Sequence, residues 1–171
     1  DAMAVHQKDS PAVEMSRQVL VRTAAKAPEG PAQQFAIIHE KINDGLFNDA
    51  IGMAEKAAEK YPDINGFIFL KAIAYNDLGE IDLAKATFQQ SIKMDPKHKE
   101  SHLGLGNLYY NMGKYVYAAL SFGDVVYLDP QDLDARYMHG LSYFNAQEWG
   151  LAASVWEDLL HYQSQHPIVR N

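Results

Sequence analysis

Apolar residues recur along this chain at intervals of three and four, the spacing that places them on one face of a helix. Leu105, Leu108, Tyr109 and Met112 make one such stripe, and Tyr115, Ala118, Ala119 and Phe122 make another directly after it. Gly113 stands between the two. Glycine there suits the left-handed backbone that closes a helix, so the pattern predicts two helices joined by a tight turn. The arrangement returns every 34 residues: Pro28, Pro62, Pro96 and Pro130 keep that interval, as do Gly45, Gly79 and Gly113, and Ala50, Ala84, Ala118 and Ala152. Four registers follow, 31–64, 65–98, 99–132 and 133–166, with 30 residues before them and five, 167–171, as a tail.

The spacing also says how the helices meet. Gly106 and Ala118 fall where two antiparallel helices must approach closely, which leaves room beside them for Tyr109 and Phe122. Asp95-Pro96 and Asp129-Pro130 should stop the second helix, because the residue before proline is pushed out of the helical region. No such pair can bury its apolar face alone. The units must therefore stack on one another.

These positions resemble the tetratricopeptide repeat, a 34-residue unit that reads W-x2-L-G-x2-Y, then A-x3-F, then P. The register 99–132 carries His102, Leu105, Gly106, Tyr109, Ala118, Phe122 and Pro130, with His102 where Trp is usual. The register 65–98 keeps Ala72, Tyr75, Ala84, Phe88 and Pro96 but has Lys71 in place of Leu. In 133–166, Gly140, Tyr143, Ala152 and Trp156 are kept and Ser164 replaces Pro; in 31–64, Ala50, Ala57 and Pro62 are kept and Lys41 replaces Tyr. The resemblance implies an all-α fold, a right-handed superhelix of four antiparallel helix pairs.

The two ends differ. Ser10 is a good N-cap and Pro11 a good first helical residue, so a helix is predicted from Pro11 to about Ala27, and residues 1–30 read as a capping helix or half-repeat. After Trp149, Val155, Trp156, Leu159, Leu160 and Tyr162 only nine residues remain, fewer than a polar capping helix needs. Trp149, Val155, Trp156 and Leu160 then mark either a shortened end or a contact face, for a partner or for a second copy of the chain.

Composition narrows the partners. Fifteen Lys plus Arg against 22 Asp plus Glu give a formal charge of −7, which argues against a nucleic-acid footprint. With no cysteine there is no disulfide framework, thiolate nucleophile or Cys-based zinc site. No stretch approaches the roughly 20 apolar residues of a membrane-spanning helix, so no direct membrane insertion is expected and the chain reads as soluble, cytoplasmic or periplasmic. The opening DAMAVHQKDS lacks the basic start and apolar run of a signal peptide, and Asp1 in place of Met is what either a processed chain or first residues left by an expression vector would show.

No catalytic constellation is visible: there is no G-x-S-x-G elbow, no P-loop and no G-x-G-x-x-G after a strand. Pairs such as Glu157-Asp158 read as solvated helix faces. His98 and His102, four apart with Glu100 between them, could meet one metal ion, but two ligands are too few and His98 falls in the turn between units. His139 stands at the repeat's Leu position and reads as a packed residue; His161 and His166 read as surface residues. No enzyme activity, cofactor or metal is expected.

Resemblance to the family puts a concave groove on the first helix of each unit, at unit positions 2, 5, 9, 12 and 13. In this chain it would gather Phe35, Phe69, Leu103 and Tyr137, then His39, Ile73, Asn107 and Leu141, then Ile42, Asn76, Tyr110 and Phe144, and last Asn43, Asp77, Asn111 and Asn145. An Asn amide both donates and accepts, so it can pair with a peptide backbone while neighbouring rings take apolar side chains. The same rows have a plainer reading: Asn near a helix end satisfies the turn, and aromatics pack between repeats. Asn107 is the cleaner candidate, because it lies mid-helix where Asn is a mediocre helix former.

Some members of the family clamp the acidic C-terminus of heat-shock chaperones with Lys, Arg and Asn. The matching residues here are Phe35, His39, Leu70, Glu100 and Gly104 in one register, and Phe69, Ile73, Gly104, Asp134 and Met138 in the next. Neither supplies a Lys or Arg, so a carboxylate-clamp partner is not expected. The expectation is a protein–protein interaction adaptor or scaffold that binds a peptide segment of a partner in its groove. Two alternatives stand beside it: a chaperone of a bacterial secretion, pilus or cytochrome-assembly system, and a scaffold that self-assembles through its C-terminal face.

Overall fold

The computed structural model describes residues 30–165. The helix predicted at 11–27, His166 and the tail lie outside the described residues. Those that are described form eight helices and no strand: α1 Pro31–Asn43, α2 Phe47–Lys60, α3 Asn65–Leu78, α4 Ile81–Met94, α5 Lys99–Asn111, α6 Tyr115–Leu128, α7 Leu133–Asn145 and α8 Trp149–Gln165. Short connections fold each pair back on itself, giving one antiparallel pair in each register read from the sequence.

The turn inside each pair is closed the same way four times. Gly45, Gly79 and Gly113 take φ of 75°, 88° and 70°, the left-handed backbone expected of them. Gln147 holds the equivalent place in the fourth unit at φ 63°, although no glycine marks it. Each of the four donates its N–H to a carbonyl three residues back, from Gly45 to Ile42 at 3.0 Å through Gln147 to Phe144 at 3.0 Å. The next residue then reaches five back, as in Glu148 N–H to the Tyr143 carbonyl at 2.9 Å. Between units, α4 and α6 stop at Asp95 and Asp129, both out of helical backbone. Their carboxylates accept from the N–H of Lys97 at 3.0 Å and of Gln131 at 3.1 Å, so each aspartate also builds the turn it opens.

Packing follows from the small residues. Ala50, Ala84, Ala118 and Ala152 are buried, and Phe67, Phe88 and Phe122 fill the spaces they leave. A Cβ added at Gly106 would stand 3.0 Å from the Phe122 ring of the same unit, and one at Gly104 would stand 2.5 Å from the Phe88 ring of the preceding unit. The Trp156 indole likewise lies directly on Gly140. The seam between the second and third units also holds a polar chain: Ser91 Oγ donates to Asn65 Oδ1 at 2.9 Å and meets Ser101 Oγ at 2.6 Å, which in turn meets His98 Nδ1 at 2.8 Å.

First helices approach one another across successive units, α1 to α3 and α3 to α5, whereas the second helices make no comparable approach. Between α5 and α7 the link is a hydrogen bond from Asn145 Nδ2 to Tyr110 Oη at 2.7 Å. A stack whose first helices are drawn together curls toward them. The product is an all-α superhelix with α1, α3, α5 and α7 on its inner face.

Candidate functional site

On each inner helix one face repeats at i, i+3, i+7 and i+11. On α5 this stripe is Glu100, Leu103, Asn107 and Asn111; on α7 it is Asp134, Tyr137, Leu141 and Asn145. Phe35, His39 and Asn43 hold the matching face of α1, and Phe69, Ile73 and Asp77 that of α3, with Asn76 beside them.

Burial divides this band. Phe69 is half-buried with its ring 6.2 Å from Phe88 and 5.1 Å from His98, and Ile73 packs against apolar clusters on both sides of it. Phe35 leans on Phe67 at 6.3 Å and covers Gly66 while remaining 37% exposed itself. Toward the other end the band opens further. Tyr137 is 52% exposed and Phe144 44%, while Leu103 and Leu141 are half-buried between them. Phe144 is braced edge-on by Trp149 at 5.0 Å and by Trp156 at 5.8 Å.

The carboxamides are not equivalent either. Asn43 Nδ2 donates to His39 Nδ1 at 3.2 Å, Asn76 Nδ2 to Asp77 Oδ1 at 3.0 Å, and Asn145 Nδ2 to Tyr110 Oη. Tyr110 is thereby tied into the stack, with its ring edge-on to Tyr115 at 5.3 Å. Asn107 and Asn111 are exposed, and neither amide has a partner among the described residues.

Ionised groups on the inner face are Asp77, Glu100 and Asp134, all exposed. The lysines near them are engaged elsewhere: Lys99 Nζ bonds Asp129 at 2.7 Å and Asp132 at 3.4 Å, and Lys71 lies 3.7 Å from Glu55. The hydrogen bond to Asp129 holds the Lys99 amine above its ordinary value, and that bond, with the Gln131 N–H, holds Asp129 below the usual carboxylate range. Lys99 thus ties the start of α5 to the turn before α7.

The remaining singled-out residues fall into place individually. His98 stands at the N-cap position of α5 with its ring on Ser101 Oγ, and His102 is buried, its Nε2 donating to the Pro96 carbonyl at 3.0 Å while Nδ1 faces Asp124 at 3.3 Å. The two rings serve different partners, and no group of three His, Asp or Glu able to hold a metal occurs among the described residues. His139 is half-buried against Gly123 and Tyr143; burial first, and the Arg136 charge second, push its imidazole below the ordinary value. His161 meets the Gln165 amide at 2.8 Å. At the C-terminal face Trp149 and Leu160 are exposed, 57% and 65%, whereas Val155 and Trp156 are half-buried and the Trp156 N–H is buried without a hydrogen bond among the described residues.

Sequence reasoning did not find the Asn145–Tyr110 tie or the engagement of Lys99. Both depend on which side chains of successive units come level, information that a repeat register does not carry.

Among known proteins, a family profile described as tetratricopeptide repeat matches residues 69–132. No curated protein sequence matches the chain. A crystal structure of MamA protein superposes with a TM-score of 0.72 at 18% identity, covering 94% of this chain and 85% of its own. A MamA fragment from Desulfovibrio magneticus RS-1 gives 0.66 at 19% identity, covering 77% and 74%. The first TPR of Spaghetti, solved with the HSP90 peptide SRMEEVD, gives 0.63 at 14% identity, covering 71% and 96%. At these identities the likeness is one of fold. No helix among the described residues is long and apolar enough to cross a membrane.

Proposed function

Because this chain is a tetratricopeptide-repeat protein, we propose that it is an interaction adaptor holding a peptide segment of a partner protein in its concave groove. The observation that carries this reading is the open stretch over α5 and α7, where the amides of Asn107 and Asn111, without a partner among the described residues, lie on helices that also expose Tyr137 and Phe144. Free amides can satisfy the N–H and C=O of an incoming backbone, and the rings offer apolar area at little entropic cost. A groove of this make suits an extended or helical segment with bulky apolar anchors. It does not suit an acidic peptide such as SRMEEVD, with which Spaghetti was solved, because Glu100 and Asp134 would repel its carboxylates.

The test is capture from the native host's lysate with wild type and with Asn107→Ala, Tyr137→Ala in parallel, bound proteins being identified by mass spectrometry. Both side chains are exposed, so the variant keeps its helical circular dichroism. Tyr110 is left intact because its hydroxyl receives Asn145. A protein retained by wild type and lost by the variant is the expected outcome. Equal retention of every captured protein removes the groove as the binding site.

A further inference from the structure

We propose that the groove selects a cationic segment, one in which Lys or Arg residues flank bulky apolar anchors. This rests on the groove reading above and adds the chemistry of the partner. Across the four units, no Lys or Arg occupies any inner-face position, whereas Asp77, Glu100 and Asp134 do, all exposed. Lys99, next to Glu100 in sequence, and Arg136, two residues from Asp134, are both occupied. Lys99 is held between Asp129 and Asp132. Arg136 donates from Nε to the Pro130 carbonyl at 2.8 Å and stacks its guanidinium 4.6 Å over the Tyr162 ring. Among the described residues Glu100 has only the His98 imidazole, at 3.8 Å, and Asp77 only the neutral Asn76 amide.

Helix electrostatics account for part of this pattern and not for the rest. Glu100 and Asp134 stand in the first turns of α5 and α7, where a carboxylate suits the helix dipole. Asp77 stands in the last turn of α3, where the dipole disfavours it. A negative charge is therefore kept at both kinds of helix end, and what the positions share is the face they occupy. On α5 the stripe runs from carboxylate through an apolar side chain to two exposed amides, and on α7 from carboxylate through Tyr137 and Leu141 to Asn145, whose amide is held by Tyr110. A segment running along α5 therefore meets an acid, a hydrophobic seat and a hydrogen-bonding pair in order, with a second acid and two apolar seats beside it on α7. The net charge of −7 adds attraction at longer range.

The test uses three fluorescein-labelled synthetic peptides with the same Leu and Phe anchors and with Lys, Gln or Glu between them. Binding is read by anisotropy at about pH 8, where imidazoles are neutral, in about 50 mM and about 500 mM salt. For wild type the Lys peptide should bind about three- to tenfold more tightly than the Gln peptide at low salt, with the Glu peptide weakest. The advantage should shrink at high salt and fall by more than half in Glu100→Gln, Asp134→Asn, which leaves Asp77 as the one carboxylate of the set. It should persist in Asp49→Asn, Glu59→Gln, which removes the same charge from the second helix α2. Equal binding of Lys and Gln peptides, an advantage undiminished in the first variant, or an equal loss in both variants overturns the proposal. So does absence of Lys-peptide binding at about 1 mM. The groove reading has a separate readout: Asn107→Ala, Tyr137→Ala should weaken every peptide that binds. If it does so while Lys and Gln peptides bind alike, only the charge inference fails; if it weakens none of them, the groove itself fails.

Discussion

Small residues do two different jobs in this chain, and a methyl group added or removed at each has a calculable sign. In the turns of the first three units, glycine supplies a left-handed backbone, and Gln147 adopts it at φ 63° with a Cβ in place. A side chain there costs about 1–2 kcal/mol, and glycine returns some of that through a freer unfolded chain, about 0.4–1 kcal/mol. Gln147→Gly should therefore raise stability by up to about 1 kcal/mol. Gly104 works differently, as the seat of the Phe88 ring, 2.5 Å from where a Cβ would stand. Gly104→Ala forces that ring to move and should cost about 1–3 kcal/mol. Gly52 lies within α2 with open space around it, so Gly52→Ala should gain about 0.5–1 kcal/mol from helix propensity alone. Urea midpoints of the three variants order them. A Gly104→Ala midpoint at or above that of wild type would show that the seam adjusts where the packing says it should not.

At the scale of elements, the α6–α7 contact carries a titration. His139 projects from α7 onto Gly123 of α6, and burial followed by the Arg136 charge lowers its proton affinity in the folded chain. The folded state therefore holds the neutral ring, and protonation favours the unfolded chain. The stabilisation is complete above the ordinary imidazole value of about 6.5 and is lost as pH falls through the lower folded value. Asp129, also depressed, loses its contribution only in a more acidic window. His139→Leu restores the residue usual at this repeat position, so its melting temperature should pull away from that of wild type as pH drops from about 7.5 to about 5. Parallel pH profiles would mean that another group sets the acid sensitivity. The helices themselves were legible in advance, because Gly45, Gly79 and Gly113 close them and Asp95 and Asp129 before proline end them, all at fixed offsets. Three things were not. The fourth closure carries Gln147, which has no local signature for φ above zero. His102 looks like a polar intruder in a Trp slot, yet it is buried through the Pro96 carbonyl, a partner six residues away on the turn. The inner face offered two readings, groove lining or packing between repeats, and the pattern did not say which residues take which: Phe69 and Ile73 sink into inter-unit packing and Asn145 is spent on Tyr110. Periodicity says which face a residue occupies and leaves open which neighbour reaches it first.

For the molecule as a whole, stability in a stack of this kind is close to a sum of unit terms and nearest-neighbour terms, since each unit touches only the one before and the one after. The second seam is then the place to ask how far cooperativity extends. Its interior pairs one large apolar contact, the Phe88 ring on Gly104 with Phe69 beside it, with the polar Asn65–Ser91–Ser101–His98 chain. Hydrogen-bonded hydroxyls fix the register of the units but add little apolar burial, so Phe88 supplies most of the coupling across this boundary. Phe88→Ala should cost about 3–5 kcal/mol, and the loss falls on the junction as well as on one unit. Wild type should unfold in a single transition, whereas in Phe88→Ala residues 30–94 and 99–165 should separate into two, with native-state hydrogen exchange assigning each step. Phe122→Ala removes a ring of the same size whose seat, Gly106, belongs to its own unit. Its effect should begin in α5 and α6 and pass to both neighbours, so those amides exchange first. If both substitutions instead lower one shared transition by similar amounts, the polar chain is coupling the units nearly as well as the ring does, and the array behaves as a single cooperative block despite its linear build.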